Sequence, residues 1–399
     1  MKSKIQNPKS KIVIVGGAVA GASVAIRLVQ SGFQVCLIER ERFPRQKLCG
    51  EFVSPECLEH FRQLGVLDEM LAAGGARLTE TVFYAPNGRN VAVPSKWFSN
   101  GAAALGISRA EMDFRLLERA KNLGAEVLEE TQVTGLLEES GEIRGVTAKT
   151  NNGEKVEITA DFTIDASGRA AVLANFAKKS RVGKRNEQRT TNNEQIRNRL
   201  VGFKAHLRNS RIALGQCEIY FFPGGYGGLN RVENGLANHC FLIDAAVVRK
   251  FNGNADRIVR EVVFKNCRAE EMMKTAEATH DWLAVSVDSF GRKNLAPAAR
   301  MLAIGDAGAF IDPFTGSGML MALESAEIAA RVIAENFPDF EKISAVYQNL
   351  HQAKFSRRLR VCSVLRRAAF VPNLAASTIY ALSLSNSARF FLARATRHT

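Results

Sequence analysis

Lys11-Ile-Val-Ile-Val15, Gly16-Gly17-Ala18-Val19-Ala20-Gly21 and Gln34-Val-Cys-Leu-Ile-Glu39 are the stretches on which the fold turns. The first is a short apolar run with the β-branched character of a buried parallel strand, and it passes directly into glycines. A helix is predicted from about Gly21 to Gln30, stopped by Gly32, and is followed by a second apolar strand that ends in an acid. Strand, glycine-rich turn, helix, strand, acid is a βαβ unit of the dinucleotide-binding kind. Gly16 permits the tight turn, the backbone around Ala18 approaches a pyrophosphate, and Gly21 lets helix and strand pack closely. Glu39 is placed to accept from an adenosine ribose hydroxyl. Gly17 and Ala20 complete the turn. The middle G-x-G-x-x-G position is Ala18, which keeps a small side chain but narrows the backbone freedom there.

Outward from this unit, the loop Arg40-Glu-Arg-Phe-Pro-Arg45-Gln-Lys-Leu-Cys49-Gly50-Glu51 carries Arg40 and Arg45 within reach of a cofactor. Thr81–Pro86 and Asn90–Val93 flank Asn87-Gly88, a hairpin signal that opens an antiparallel sheet. Ile107-Ser-Arg109, Met112-Asp113 and the helical run Phe114 to Leu123 return to the first domain. Leu136–Glu138, Ile143–Lys149 and Lys155–Thr159 read as a β-meander, and Phe162–Asp165 ends it with Gly168 in the turn beyond. Val201–Leu207, Cys217–Phe222 and His239–Ile243 resume the antiparallel sheet. Met301–Gly305, Asp306, the loop Pro313-Phe-Thr-Gly316-Ser-Gly318-Met319 and a helix from about Leu320 to Asn336 repeat the order strand, acid, glycine-rich loop, helix. The expected organisation is a discontinuous nucleotide-binding domain (1–75, 100–177, 285–345) and an interleaved substrate domain (76–99, 200–284). A polar loop (178–199) and a basic helical C-terminal segment (346–399) complete it.

With 399 residues, 46% hydrophobic and 24% charged, the chain falls in the ordinary globular range, which excludes collagen-like, disordered and disulfide-scaffold readings. Seven scattered cysteines without a CxxC pair imply free thiols and no structural metal. No apolar run suffices for a spanning helix, and no leader pattern opens the chain, so a cytoplasmic location is expected. The formal charge of +14 is unevenly spread: from Lys354 onward there are nine Lys and Arg residues and no Asp or Glu. Apolar residues recur at helical spacing among them, so this segment either lies on anionic lipid or docks its apolar stripe on the protein body. Nucleic acid is not an expected partner, since no recognition motif accompanies the basic residues.

These motifs, in this order from Lys11 to Asn336, resemble the FAD-dependent enzymes of the aromatic-hydroxylase fold, most closely the branch of geranylgeranyl reductases and flavin-dependent halogenases. The resemblance implies an α/β fold: a Rossmann-like FAD-binding domain with a β-meander, interleaved with an antiparallel-sheet substrate domain. It assigns the Gly16–Gly21 turn to the FAD pyrophosphate, Glu39 to the adenosine ribose, Arg109 to the flavin side and Asp306 to the ribityl chain. Pro313, Gly316, Gly318 and Met319 would sit by the isoalloxazine, and Arg40, Arg45, Val133, Asp165 and Gly168 elsewhere along the cofactor. The halogenases' Trp-x-Trp-x-Ile-Pro motif is absent, the comparable stretch being Glu218-Ile-Tyr-Phe-Phe222-Pro223-Gly-Gly-Tyr226. That stretch and Cys49-Gly50 look like the substrate side of the polyprenyl reductases. Cys49 and Tyr226 are therefore the catalytic candidates, although a lone cysteine is equally at home as a small buried apolar group.

The expected activity is an FAD-dependent oxidation or reduction of an apolar isoprenoid, quinone or polyketide-type substrate by hydride transfer at flavin N5. Because one fingerprint holds one dinucleotide, either NAD(P)H binds transiently as electron donor or the electrons come from another donor. The alternative is a monooxygenase that hydroxylates an aromatic or quinone substrate through a C4a-hydroperoxyflavin. The non-enzymatic alternative is a flavin-bound scaffold recruited to a membrane through the basic tail.

Overall fold

Lys9–Val15 pairs in parallel with Phe33–Ile38 on one side and Phe162–Asp165 on the other. Met301–Ala303 and Glu126–Leu128 extend the sheet at its two edges, giving five parallel strands. The computed structural model describes residues 9–98, 102–182, 200–287, 290–370 and 372–396. Both faces of this sheet are covered, which is why its strands are continuously apolar rather than alternating. Ile12 and Ile14 pack into a helical core with Val24, Leu28, Leu116 and Leu323, whereas Val13 and Val15 pack against Val133, Ile143 and Val146 of the meander. The meander is Thr131–Glu139, Glu142–Thr150 and Lys155–Thr159, paired antiparallel in sequence order.

The second domain is built on a large sheet in the order Glu277–Ala278, Leu200–Arg208, Ala237–Asp244, Gly225–Arg231, Gln216–Phe222, Glu80–Tyr84, Asn90–Pro94. Asn87-Gly88 turns the last two strands into the predicted hairpin, with Tyr84 opposite Asn90. One pairing departs from the antiparallel expectation: Gln216–Phe222 runs parallel to Glu80–Tyr84, which the long intervening chain, including the whole meander, permits. Short helices at Ala245–Lys250, Ala255–Glu261 and Cys267–Met273 back the sheet through Phe241, Ile258, Val263 and Met272.

The structure moves several expected boundaries. Ala76–Leu78 joins Phe52–Val53 and Ala104–Gly106 in a small sheet beside the cofactor domain, while Leu283–Val287 pairs with Leu200–Arg208 and so belongs to the large sheet. Residues 178–182 end the helix Val172–Val182, and the rest of the polar stretch lies outside the described residues. The boundary at 346 falls inside a single helix, Phe340–Ala369, whose Ile343, Tyr347 and Phe355 are buried in the main core. Periodicity alone could not show where such a helix leaves one neighbour for the next.

The glycine turn is held by contact rather than by flexibility. Gly16 has φ +105°, where a side chain is strained, and a Cβ there would overlap the Ala166 carbonyl. A Cβ on Gly21 would overlap the Gly16 carbonyl oxygen, so the turn closes only because residue 21 has no side chain. Gly21→Ala is expected to lower the stability by about 3 kcal/mol or more, the upper end for overpacking because the obstacle is backbone. Denaturant unfolding of the purified variant checks this; a midpoint equal to the parent's would contradict it.

Candidate active site

The C-terminal ends of the parallel strands and the inner face of the large sheet enclose a cavity of about 1150 Å³. That exceeds the roughly 300–1,000 Å³ of a single small-molecule pocket, so it has room for two ligands side by side. Two helices point their N-termini into it, Val19–Gln30 and Gly318–Asn336. Neither has a side-chain cap or an acid in its first turn, so their leading N–H groups and positive dipole ends face the cavity. Gly316, left-handed at φ +60°, makes the bend that aims the second helix, and Pro313, Gly318 and Met319 line the wall beside it.

Five cationic side chains converge on the same half: Arg45, Lys47, Arg109, Arg169 and Lys293. Arg45 Nε is buried without a hydrogen-bond partner. Burial, reinforced by Arg109, pushes the Lys47 ammonium down to about 8, and burial likewise lowers Lys293. An anion in the cavity would relieve all of these at once. Asp306 faces the cavity among them; burial raises its pKa, opposed by Lys47, Arg169, Arg109 and Lys293. Two uncapped helix ends, an orphaned guanidinium donor and one acid beyond them fit a pyrophosphate, a flavin and the sugar alcohol of FAD.

Of the residues read from sequence, Gly16, Ala18, Ala20, Glu39, Arg40, Arg45, Arg109, Val133, Gly168 and Asp306 line the cavity. Gly17 and Gly21 lie behind the turn; the Gly17 amide donates to Glu39 Oε2 at 2.8 Å. Glu39 also accepts from the Glu41 amide at 3.1 Å, so this acid braces the glycine turn while it lines the cavity. Asp165 is a correction. It is buried, but it accepts from Ser167 Oγ at 2.5 Å and from the Ala174 amide at 3.0 Å, holding the start of the Val172–Val182 helix instead of facing the cofactor. Strand-end acids look alike in sequence, and only the direction of the following turn separates Asp165 from Asp306.

The loop carrying Cys49 is clamped from beneath. Glu51, fully buried, accepts at Oε1 from the Arg109 amide at 2.8 Å and from Lys204 Nζ, and at Oε2 from His206 Nε2 at 2.6 Å. Lys204 also donates to Gln46 Oε1 at 2.9 Å and the Lys47 carbonyl at 3.2 Å, and Asn238 donates to the Cys49 carbonyl at 3.1 Å. Burial works to raise the Glu51 pKa, but His206 and Lys204 prevail and hold it below the usual value. Lys204 and His206 were missed from sequence. Their signal was a Lys and a His at i, i+2 in an otherwise apolar strand, hence on one face of it. Arg109 binds Asp113 with two hydrogen bonds, 2.9 and 2.7 Å, and its guanidinium reaches the Cys49 thiol. Burial works to lower its pKa, but Asp113 and Cys49 raise it overall.

Tyr226 lines the cavity, yet its hydroxyl donates to Asp312 Oδ1 at 2.5 Å, and the same oxygen accepts from the Phe314 amide. Burial, then Asp312, keeps the phenol protonated. Tyr226 thereby anchors the Pro313–Gly316 turn, which makes it a positioning residue rather than a free acid. The sequence offered no link between Tyr226 and Asp312.

Two outcomes follow. Glu51→Gln leaves Lys204 buried without a counter-charge and is expected to cost about 3–5 kcal/mol of stability. Because the folded pKa of Glu51 is depressed, the wild-type advantage is present above the ordinary value of 4.5 and is lost as pH falls through the folded one. Paired denaturant titrations across that range check both parts. Asp306→Ala removes a charge-assisted acceptor worth about 1.5–3 kcal/mol, so FAD is expected to bind about tenfold to a hundredfold more weakly. Fluorescence titration of the apoprotein measures it, and unchanged affinity would remove Asp306 from the site.

A family model described as FAD binding domain matches residues 9–366. Menaquinone reductase of Mycolicibacterium smegmatis is 25% identical, over 92% of this chain and 86% of its own length. Tryptophan 2-halogenase of Chondromyces crocatus is 26% identical, over 88% and 67%. Among solved structures, a geranylgeranyl bacteriochlorophyll reductase-like protein of Thermoplasma acidophilum superposes with a TM-score of 0.78 at 17% identity, covering 97% of this chain and 96% of that one. The glycine turn, the paired helix ends and the cation cluster are thus the parts of a flavin site, and the chain belongs to the FAD binding domain family.

Proposed function

We propose that this FAD-dependent oxidoreductase transfers a hydride between flavin and an apolar isoprenoid, quinone or polyketide-type substrate. The observation that carries the reading is the far half of the cavity, walled by Phe83, Val91, Phe221, Leu242, Ile379 and Leu382. Such walls bind an apolar molecule and keep bulk water away from the reacting atoms. A relative named for menaquinone, itself apolar, supports the same substrate class.

Bound flavin supplies two electrons as a hydride at N5. The chain's part is to hold the acceptor against that atom, keep the chamber dry and deliver a proton to the charge the hydride leaves behind. Cys49 lines the cavity, and its Sγ accepts from the Glu51 amide at 3.4 Å. We assign it the proton transfer, its position held by the Glu51 clamp and Asn238. The uncapped positive end of the Gly318–Asn336 helix lines the cavity and would complement negative charge on a bound flavin.

The test uses the holoenzyme with its flavin reduced under anaerobic conditions and mixed with a short-chain prenylated naphthoquinone. The flavin absorbance is expected to recover without oxygen, and Cys49→Ala to slow that recovery about a hundredfold while retaining FAD. Recovery only on admitting oxygen, with an oxygen atom added to the substrate, would overturn the reading in favour of a monooxygenase.

A further inference from the structure

We propose that the two C-terminal helices, Pro372–Ser383 and Asn386–Ala395, seat this protein on an anionic bilayer and form the wall through which its chamber meets lipid. On the inner side, Ala375, Ile379 and Leu382 of the first helix and Leu392 of the second line the cavity. Ala375, Ile379 and Leu382, at i, i+4 and i+7, share one helix face. On the outer side stand Leu374, Tyr380, Leu384, Phe390 and Phe391, with Val364 of the preceding helix close by in sequence. Among the described residues the large exposed hydrophobics are these six and two others, Leu71 and Leu214. Leu384 is 71% exposed and Phe391 68% exposed. Concentration of that kind in one short stretch is what a buried or inserted face looks like, whereas scattered exposed apolar residues are ordinary.

Charge selects the partner. The segment from Lys354 onward contains no acid. Lys354 and Arg358 are engaged by Glu324, and Arg366 by Asp312, so they serve the fold. Arg357, Arg360 and Arg394 are exposed and form no ion pair among the described residues. Arg357, Arg360 and Val364 share one helix face at i, i+3, i+7. Apolar side chains that insert, flanked by free arginines, match an interface of acyl chains under anionic headgroups. A second copy of the chain would bring the same positive charge against itself. The inference goes beyond the proposed reaction and rests on it in one respect only, that the molecule drawn from the lipid is the apolar substrate.

The experiment floats full-length holoenzyme with vesicles of phosphatidylcholine containing phosphatidylglycerol, and with phosphatidylcholine alone. No substrate is present, so the outcome is independent of the hydride-transfer reading. Binding is expected to the anionic vesicles, to weaken between about 0.1 and 0.5 M salt, and to fall about tenfold in Leu384→Glu/Phe391→Glu. Arg357→Glu/Arg360→Glu separately reports the charge contribution and is expected to lose the preference for phosphatidylglycerol. Flavin stoichiometry and the thermal midpoint are read for each variant and should match the parent. Absence of binding to anionic vesicles, binding untouched by either double variant, or a dimer that dissociates in Leu384→Glu/Phe391→Glu would each overturn the proposal.

Discussion

A buried carboxylate, Glu51, ties the two halves of this molecule together. Glu51 comes from the cofactor domain, whereas Lys204 and His206, on which both of its oxygens rest, come from the large sheet. In a low-dielectric interior none of the three is tolerable alone, and together they satisfy one another. The consequence reaches well past the contact. With Glu51 fixed, the preceding loop is held along the cavity wall, where Lys47 stands with the other cations and Cys49 lines the same chamber. Arg109 is drawn into the same arrangement, because its amide donates to Glu51 while its guanidinium is held by Asp113.

The electrostatics of the cavity follow from what the fold leaves uncompensated. Two helix ends without caps, and five lysine and arginine side chains that Glu39, Asp113 and Asp306 only partly balance, favour something negative between them. A dinucleotide supplies it along its length. The acids nearby are assigned by geometry: Asp165 spends its oxygens on a helix start, Glu39 on the glycine turn, and Asp306 alone stands among cations toward the ligand. Tyr226 shows the same division of labour at the other end, where a buried phenol and Asp312 shape the turn that aims the second helix.

The C-terminal segment joins these layers. The helix Phe340–Ala369 begins in the main core through Ile343 and Tyr347, passes Glu324 by way of the buried Arg358, and ends beside the chamber with Leu365 lining it. Phe370 then packs on Tyr226. One face therefore docks on the body, as one of the two sequence readings had it, while the opposite face stays basic and apolar.

The βαβ unit was legible from residues 11–39 because its demands are local: a turn that admits no Cβ at Gly16 or Gly21, apolar runs at Ile12–Val15 and Val35–Ile38 where both faces are covered, and an acid at the second strand's end. The meander and the Asn87-Gly88 hairpin were legible for the same reason, turn chemistry and alternation being short-range. What the tertiary structure alone decided is which separated side chains meet. Lys204 and His206 find Glu51 across more than 150 positions, Tyr226 finds Asp312, and Asp165 turns from the cofactor to a helix start. Those contacts depend on how two sheets are set against each other, and that is fixed by packing over the whole interface. No window of sequence contains it.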